Sequence, residues 1–81
     1  MPTILFINGF QFIIWPDDHE PPHVHVFKAD GEAKVKIGNS EQAPALVTIY
    51  RLTRREARFI WRVVAEHHQE ELLDAWEKIH G

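Results

Sequence analysis

Residues 17–25, Asp-Asp-His-Glu-Pro-Pro-His-Val-His, include five candidate metal ligands or proton carriers: Asp17, Asp18, His19, His23 and His25. Side chains at positions i and i+2 of a strand share a face, so His23 and His25 would stand about 6–7 Å apart at the backbone and could reach one ion. His19, Asp17 or Asp18 could complete a three-ligand site. Imidazole and carboxylate together suit a divalent ion such as Zn²⁺, Mn²⁺ or Fe²⁺, and an open coordination position would make such a site catalytic.

Two other interpretations of this segment stay open. Metal-free acid–base chemistry would use His19, His23 and His25 as proton carriers, and a lysine beside a histidine would favour its neutral, basic form. A purely structural interpretation is equally consistent with the residue types, because Asp, His, Glu and two prolines form good turns. The sequence therefore leaves open whether the protein is an enzyme.

The elements that must position these residues begin with a β-hairpin. Residues 3–7 and 10–15 are rich in β-branched and aromatic side chains and flank Asn8-Gly9, the strongest short signal for a two-residue turn. Such a turn would pair Ile4 with Ile13. Pro16 would end the second strand, since proline cannot donate to a sheet.

A second hairpin carries the histidines. Residues 23–29 and 32–37 flank Asp30-Gly31, which predicts another two-residue turn and places His25 opposite Lys36. Alternation then separates an apolar face from a polar one. The apolar face comprises Val24, Val26, Ala33, Val35 and Ile37, whereas the histidines and lysines project away from the core.

The remaining chain predicts one further strand and a helical region. Residues 38–44 form a polar loop, and residues 46–50 are a candidate fifth short strand. Thr53 and Glu56 have the spacing of a capping box, which begins a helix that continues to about His80. We therefore expect a single α+β domain over residues 1–81, mainly β over 1–50 and helical over 53–80, with a small antiparallel sheet of two hairpins (four or five strands) packed against the helix.

The apolar residues of that helix do not follow a single stripe. One face carries Ala57, Trp61, Val64, His68, Leu72, Ala75 and Ile79, whereas Phe59 and Val63 lie nearly opposite it. Either a kink near His67–Gln69 or a partner that covers Phe59 and Val63 would explain the pattern. The sequence contains no Gly or Pro there, so it does not decide between them.

Five arginines crowd the start of the helix: Arg51, Arg54, Arg55, Arg58 and Arg62 (the arginine patch). Like charges four residues apart are mildly destabilising, and cations near a helix N-terminus oppose its dipole. A contact with nucleic acid or an acidic protein would explain the patch. The alternative is that the arginine stems cover apolar surface and pair with acids of the sheet or of a neighbouring subunit.

Composition restricts the class of protein. The chain has 81 residues, 44% of them hydrophobic and 26% charged, which is typical of one globular domain. It has no cysteine, which excludes disulfides and thiolate metal sites. No signal peptide or membrane-spanning run is recognisable, so we expect a cytoplasmic protein without a membrane partner. The net charge of −3 gives no overall attraction to nucleic acid.

The segment Asp18-His19-Glu20-Pro21-Pro22-His23-Val24-His25 resembles the hallmark of a bacterial family known as domain of unknown function 4160. The similarity extends to Met1-Pro2-Thr3-Ile4, Glu32-Ala33 and Glu70-Glu71-Leu72-Leu73 followed by Trp76. The resemblance implies a compact α+β protein encoded beside another small protein, in a toxin–antitoxin-like pair. It implies no established reaction, cofactor or catalytic residue.

Two functional hypotheses follow. In the first, the protein is one component of a two-protein module and binds a cognate small protein from a neighbouring gene, with the His/Asp-rich loop as its functional site. Phe59 and Val63, an open strand edge or the arginine patch would provide the contact, and a homo-oligomer or nucleic acid are further candidates. In the second, it is a metal-dependent hydrolase or nuclease that uses His19, His23 and His25 with Asp17 or Asp18.

Overall fold

A five-stranded antiparallel sheet is covered on one face by a C-terminal helix, so the predicted α+β fold is confirmed. The computed structural model describes residues 3–80; Met1, Pro2 and Gly81 of the predicted domain lie outside them. The strands are β1 (Thr3–Ile7), β2 (Phe10–Ile13), β3 (His23–Lys28), β4 (Gly31–Lys36) and β5 (Ala45–Tyr50). They lie side by side in chain order.

The helical region begins at the predicted capping box. Thr53 Oγ1 accepts from the Glu56 backbone N–H at 3.0 Å, and the Thr53 N–H donates to Glu56 Oε1 at 2.9 Å. That hydrogen bond from the Thr53 backbone, aided by Lys28 at 3.2 Å, lowers the pKa of the Glu56 carboxyl. The backbone N–H groups of Thr53 and Glu56 are therefore each satisfied by the side chain of the other residue.

The helix runs without a break through two α-helical parts, α1 (Arg54–Arg62) and α2 (Gln69–His80), joined by a π-helical segment, Val63–His68. A π-helical turn takes more residues than an α-helical one, so it rotates the following face relative to the preceding one. This explains why the apolar residues did not fit a single stripe. Of the two predicted explanations, the local irregularity is therefore the one observed. It begins at Val63 and ends at His68, so it overlaps the predicted position at His67–Gln69 and starts before it.

The core lies between the sheet and this helix. Sheet and helix side chains that are almost completely buried form one cluster: Phe10, Phe12, Ile14, Val24, Val26, Ala33, Val35, Ile37, Ile60, Val63, Val64, Leu72 and Trp76. Trp61 is half-buried and donates from Nε1 to the Pro44 carbonyl at 2.7 Å, which ties the loop before β5 to the helix. No helix within residues 3–80 is long and apolar enough to cross a membrane.

The first hairpin turns where predicted, with small differences in its strands. Asn8 and Gly9 have φ values of +50° and +83°, as the two-residue turn requires. The predicted Ile4–Ile13 pair is wrong, because an irregularity between Thr3 and Leu5 shifts the register and Ile13 pairs with Thr3. The second strand ends at Ile13, two residues before the predicted end.

The second hairpin turns one residue earlier than predicted. Lys28 pairs with Gly31, so the turn residues are Ala29 and Asp30, and Ala29 has a φ of +50°. Gly31 is instead required by close packing: a Cβ there would lie 2.3 Å from Leu52 Cδ2 and 2.8 Å from the Arg51 carbonyl oxygen. The glycine thus lets the chain after β5 cross the hairpin.

The new register changes the partners of the histidines. His25 pairs with Lys34 and His23 with Lys36, whereas His25 was predicted to pair with Lys36. Because each partner moves by two residues, the side chains keep their faces. Val24 and Val26 still lie in the core, opposite Val35 and Ala33.

Candidate metal site

The site is built by β3 and the loop that precedes it. Alternation along β3 gives His23 and His25 a common face. The loop folds back because the Asp18 N–H donates to the Trp15 carbonyl at 3.2 Å, and its end is held by the Ile37 N–H donating to the Pro22 carbonyl at 3.0 Å. This places the Asp18 carboxylate over the two imidazoles.

The three side chains converge on one point. Asp18 Oδ2 lies 3.2 Å from His23 Nε2 and 3.3 Å from His25 Nε2, and one ligand atom from each residue lies within 4.8 Å of the others. Two ligands about 2.1 Å from a tetrahedral ion are separated by about 3.4 Å. The two distances from Asp18 Oδ2 to the imidazoles are therefore close to those between ligands of a small divalent ion.

His23 is held so that its Nε2 faces Asp18. The imidazole is 5% exposed, and its Nδ1 lies 2.9 Å from the Pro21 carbonyl oxygen, which only a protonated nitrogen can satisfy. In the neutral ring, Nε2 then carries a lone pair that points at a carboxylate oxygen. A cation between these two atoms would contact both, and a histidine fixed by a carbonyl at Nδ1 is the usual arrangement of a metal ligand.

Two atoms of this group have no hydrogen-bond partner. Within residues 3–80, Asp18 Oδ2 and His25 Nδ1 are buried and form no hydrogen bond, although both imidazole Nε2 atoms lie close to the carboxylate. Their contacts have the distance of an ion pair but not the geometry of a hydrogen bond. A buried carboxylate oxygen is costly to leave unsatisfied, so the group fits a cation at this position.

The surroundings of His25 favour the neutral form of its imidazole, which metal binding requires. Burial lowers the pKa of its imidazole, although the nearby Asp18 carboxylate acts in the opposite direction. The neighbouring His23 and Lys34 lower it further, and Glu32, whose Oε2 lies 3.9 Å from Nδ1, raises it. At neutral pH a proton therefore competes weakly for His25 Nε2.

The group lies in a pocket of about 320 Å³. Asp17, His19 and Glu20 contribute to it from the loop, and Lys34 and Lys36 contribute from β4. Its three carboxylates outnumber its two lysines, so the pocket has a formal charge of −1 when the histidines are neutral. A divalent ion would change this to +1, so the same pocket could attract first a cation and then an anion.

The structure brings together three of the five predicted ligands. Asp18, His23 and His25 form the group, whereas Asp17 and His19 line the pocket, are exposed and lie outside the group. His23 is buried rather than open on the sheet face as expected, because the Trp76 ring lies against it with 5.3 Å between ring centroids.

Two further residues that position the site were missed from the sequence. Trp76 covers His23, and its Nε1 donates to Glu20 Oε1 at 3.4 Å. Trp76 lies far from the loop in sequence, and its apolar character indicated only a core residue. Lys34, which pairs with His25, was missed because the turn was placed one residue late.

The other predicted contact surface is only partly available. Val63 is buried, and Phe59 is half-buried with its ring centroid 5.3 Å from that of Phe10. Val63 is therefore not open to a partner as expected, and Phe59 is open only in part, because its ring packs on Phe10 of the first hairpin. The π-helical segment turns Val63 towards the core.

The arginine patch is exposed to solvent. Arg51 lies 4.0 Å from Asp30 and over the Tyr50 ring. In the described part of the chain, the other four arginines form no ion pair, so the prediction that acids of the sheet neutralise them does not hold for these four: Arg54, Arg55, Arg58 and Arg62.

Comparison with known families gives one match. The sequence model of the family described as Domain of unknown function (DUF4160) matches residues 9–77, which includes the whole site. The chain belongs to the DUF4160 family. No curated protein and no solved structure matches it. Membership of DUF4160 confirms the resemblance seen in the sequence, and the function has to be inferred from the site itself.

Proposed function

We propose that this DUF4160 protein binds a divalent metal ion through Asp18, His23 and His25 and hydrolyses an anionic ester, with phosphodiesters as the first class to test. The observation that carries the proposal is the convergence of these three side chains around a buried carboxylate oxygen that lacks a hydrogen bond. Two histidines and one carboxylate leave coordination positions open for a water molecule and a substrate.

The chemistry follows from the residues around the group. A divalent ion would supply Lewis-acid polarisation and activate water. Lys34 and Lys36 line the same pocket and would hold an anionic substrate by its charge. His19, exposed at the pocket, is a side chain of the type that transfers a proton to a leaving group.

Hydrolysis of bis(4-nitrophenyl) phosphate and of single-stranded RNA tests this function. We expect turnover by protein loaded with Zn²⁺, Mn²⁺ or Fe²⁺, complete loss with a chelator, and loss in His25→Ala. Asp17→Asn is the matched control, because Asp17 lines the pocket without belonging to the group. Protein that binds metal and yet turns over neither substrate with any of the three ions would contradict the hydrolase proposal and leave the metal site intact.

The first sequence-based hypothesis, partner binding within a toxin–antitoxin-like module, stays a prediction alongside this proposal. Of the surface first suggested for it, Val63 is buried and Phe59 is half-buried. A cytoplasmic location also stays a prediction from the sequence.

A further inference from the structure

The edge of the sheet that β5 forms exposes several large side chains. β5 pairs with β4 on one side and is the last strand of the sheet on the other. Three of its large side chains are well exposed, Val47 at 44%, Ile49 at 46% and Tyr50 at 58%. An exposed apolar edge strand promotes unwanted pairing, and it carries neither a charge nor a proline within Ala45–Tyr50 to prevent it.

An apolar groove runs beside this edge. It has a volume of about 460 Å³ and lies between β5 and α1, with Leu46, Ile49, Leu52, Ala57 and Trp61 among its lining residues. An irregularity in the pairing of β5 with β4 leaves Leu46 opposite Val35 and Ile49 opposite Ala33, both core positions of β4. The groove therefore extends the core face of the sheet beyond its last strand.

Two arginines form the rim of this groove. Arg54 and Arg58 line it, are exposed and stand four residues apart on α1. Neither forms an ion pair with another residue of the described chain. Their mutual repulsion and the helix dipole both disfavour this placement, and an acidic ligand would relieve both.

We propose that β5 and this groove (the β5 groove) bind an extended acidic segment of a partner protein, which adds to the sheet as a sixth strand. Backbone groups of β5 would pair with the segment, alternate apolar side chains would enter the groove, and carboxylates would pair with Arg54 and Arg58. The proposal gives a surface and a chemistry to the predicted partner binding. The residues that line the groove differ from the metal ligands, although Val47 of β5 lines the metal pocket rather than the groove.

A second copy of this chain, paired through its own β5, would not neutralise the arginines of the β5 groove. Antiparallel pairing of β5 with β5 places both helices on one face of the joined sheet and brings the two pairs of arginines towards each other. The β5 sequence, Ala-Leu-Val-Thr-Ile-Tyr, contains no carboxylate that could neutralise them. The charge of the rim therefore favours an acidic segment over self-association.

The test is binding of a capped ten-residue peptide of alternating Val and Glu to the intact protein, followed by fluorescence anisotropy. We expect Arg54→Glu/Arg58→Glu to weaken binding by about tenfold or more. The matched control, Arg55→Glu/Arg62→Glu, makes the same charge change on the same helix outside the groove and should alter the affinity by less than about threefold. Amide NMR shifts should be confined to residues 45–61, which contain the lining of the groove.

Four results would overturn the proposal. The first is equal binding of a Val–Lys peptide, and the second is no change in anisotropy at millimolar peptide. The third is a set of shifts on β1, the opposite edge of the sheet, rather than on β5. The fourth is a homodimer in sedimentation equilibrium whose β5 amides are protected from exchange, which would show a second copy in place of the acidic segment. None of these results depends on metal binding or hydrolysis.

Discussion

Replacing Asp18 with Asn separates the role of its charge from that of its shape. In metal-free protein the Asp18→Asn change removes no hydrogen bond, because Oδ2 forms none. We therefore expect the free energy of unfolding to change by less than about 1 kcal/mol. The change does remove the one anionic ligand of the group, so its effect should be seen in the presence of metal.

The size of that effect follows from linkage. A ligand at 100 times its dissociation constant stabilises the folded state by about 2.7 kcal/mol, which in a domain of this size raises Tm by about 11–22 °C. Loss of a ligand should weaken metal binding by about 100-fold or more, given the losses of 10- to 100-fold that outer-shell changes cause. At the same metal concentration the stabilisation then falls to about 0.4 kcal/mol, or about 2–3 °C.

Differential scanning calorimetry with and without metal measures both quantities. Asp17→Asn serves as the control, because it makes the same chemical change one residue earlier, at an exposed position outside the group. An equal rise of Tm in wild type and Asp18→Asn would refute the assignment of Asp18 as a ligand. No rise in wild type at millimolar metal would refute the site.

Three further predictions concern stability. Thr53→Ala should lower the free energy of unfolding by about 1 kcal/mol in urea denaturation, whereas Thr53→Ser should retain most of it, because the hydroxyl accepts from the Glu56 N–H; equal losses would contradict the cap. Gly31→Ala should lower the free energy of unfolding by about 1–3 kcal/mol in the same assay, because the added Cβ would overlap Leu52 and the Arg51 carbonyl. An unchanged denaturation midpoint would show that the chain at Arg51 and Leu52 can move to accept the methyl group. Burial lowers the pKa of His25 in the folded, metal-free protein. The neutral imidazole's contribution to the free energy of unfolding is therefore fully present above the ordinary pKa of 6.5 and is lost as pH falls through the lower pKa of the folded state. Unfolding free energies from about pH 7.5 to about pH 5 should therefore fall less steeply in His25→Gln than in wild type, and equal slopes would contradict this.

The sequence predicted those parts of the fold that depend on local chemistry. The Asn8-Gly9 turn and the Thr53–Glu56 capping box form where expected, because each is stabilised by groups within four residues. The turn predicted at Asp30-Gly31 lies one residue earlier, because the glycine is needed for close packing against Leu52, which is distant in sequence, and not for the turn.

The π-helical segment could not be predicted for a related reason. Residues 63–68 contain no Gly or Pro to mark it. The segment places both Val63 and Val64 in the core ahead of Leu72 and Trp76. Packing of the two helical parts against one sheet, rather than local propensity, accounts for it.

The sequence predicted the two histidines of the site, but not which carboxylate joins them. His23 and His25 follow from the two-residue period of a strand. The choice between Asp17 and Asp18 depends on how the loop returns over β3, which the sequence does not specify. The burial of His23 depends on Trp76, a contact between opposite ends of the chain.

Metal content, measured by elemental mass spectrometry on untagged protein, tests the metal site most directly. The partner sample is the Asp18→Asn/His25→Ala variant, which keeps the buried His23 in place, with circular dichroism to establish that it is folded. We predict about one Zn²⁺, Mn²⁺ or Fe²⁺ per wild-type chain and none in the folded variant. Wild-type protein that takes up none of the three ions when they are added, or a variant that retains the ion, would contradict the account.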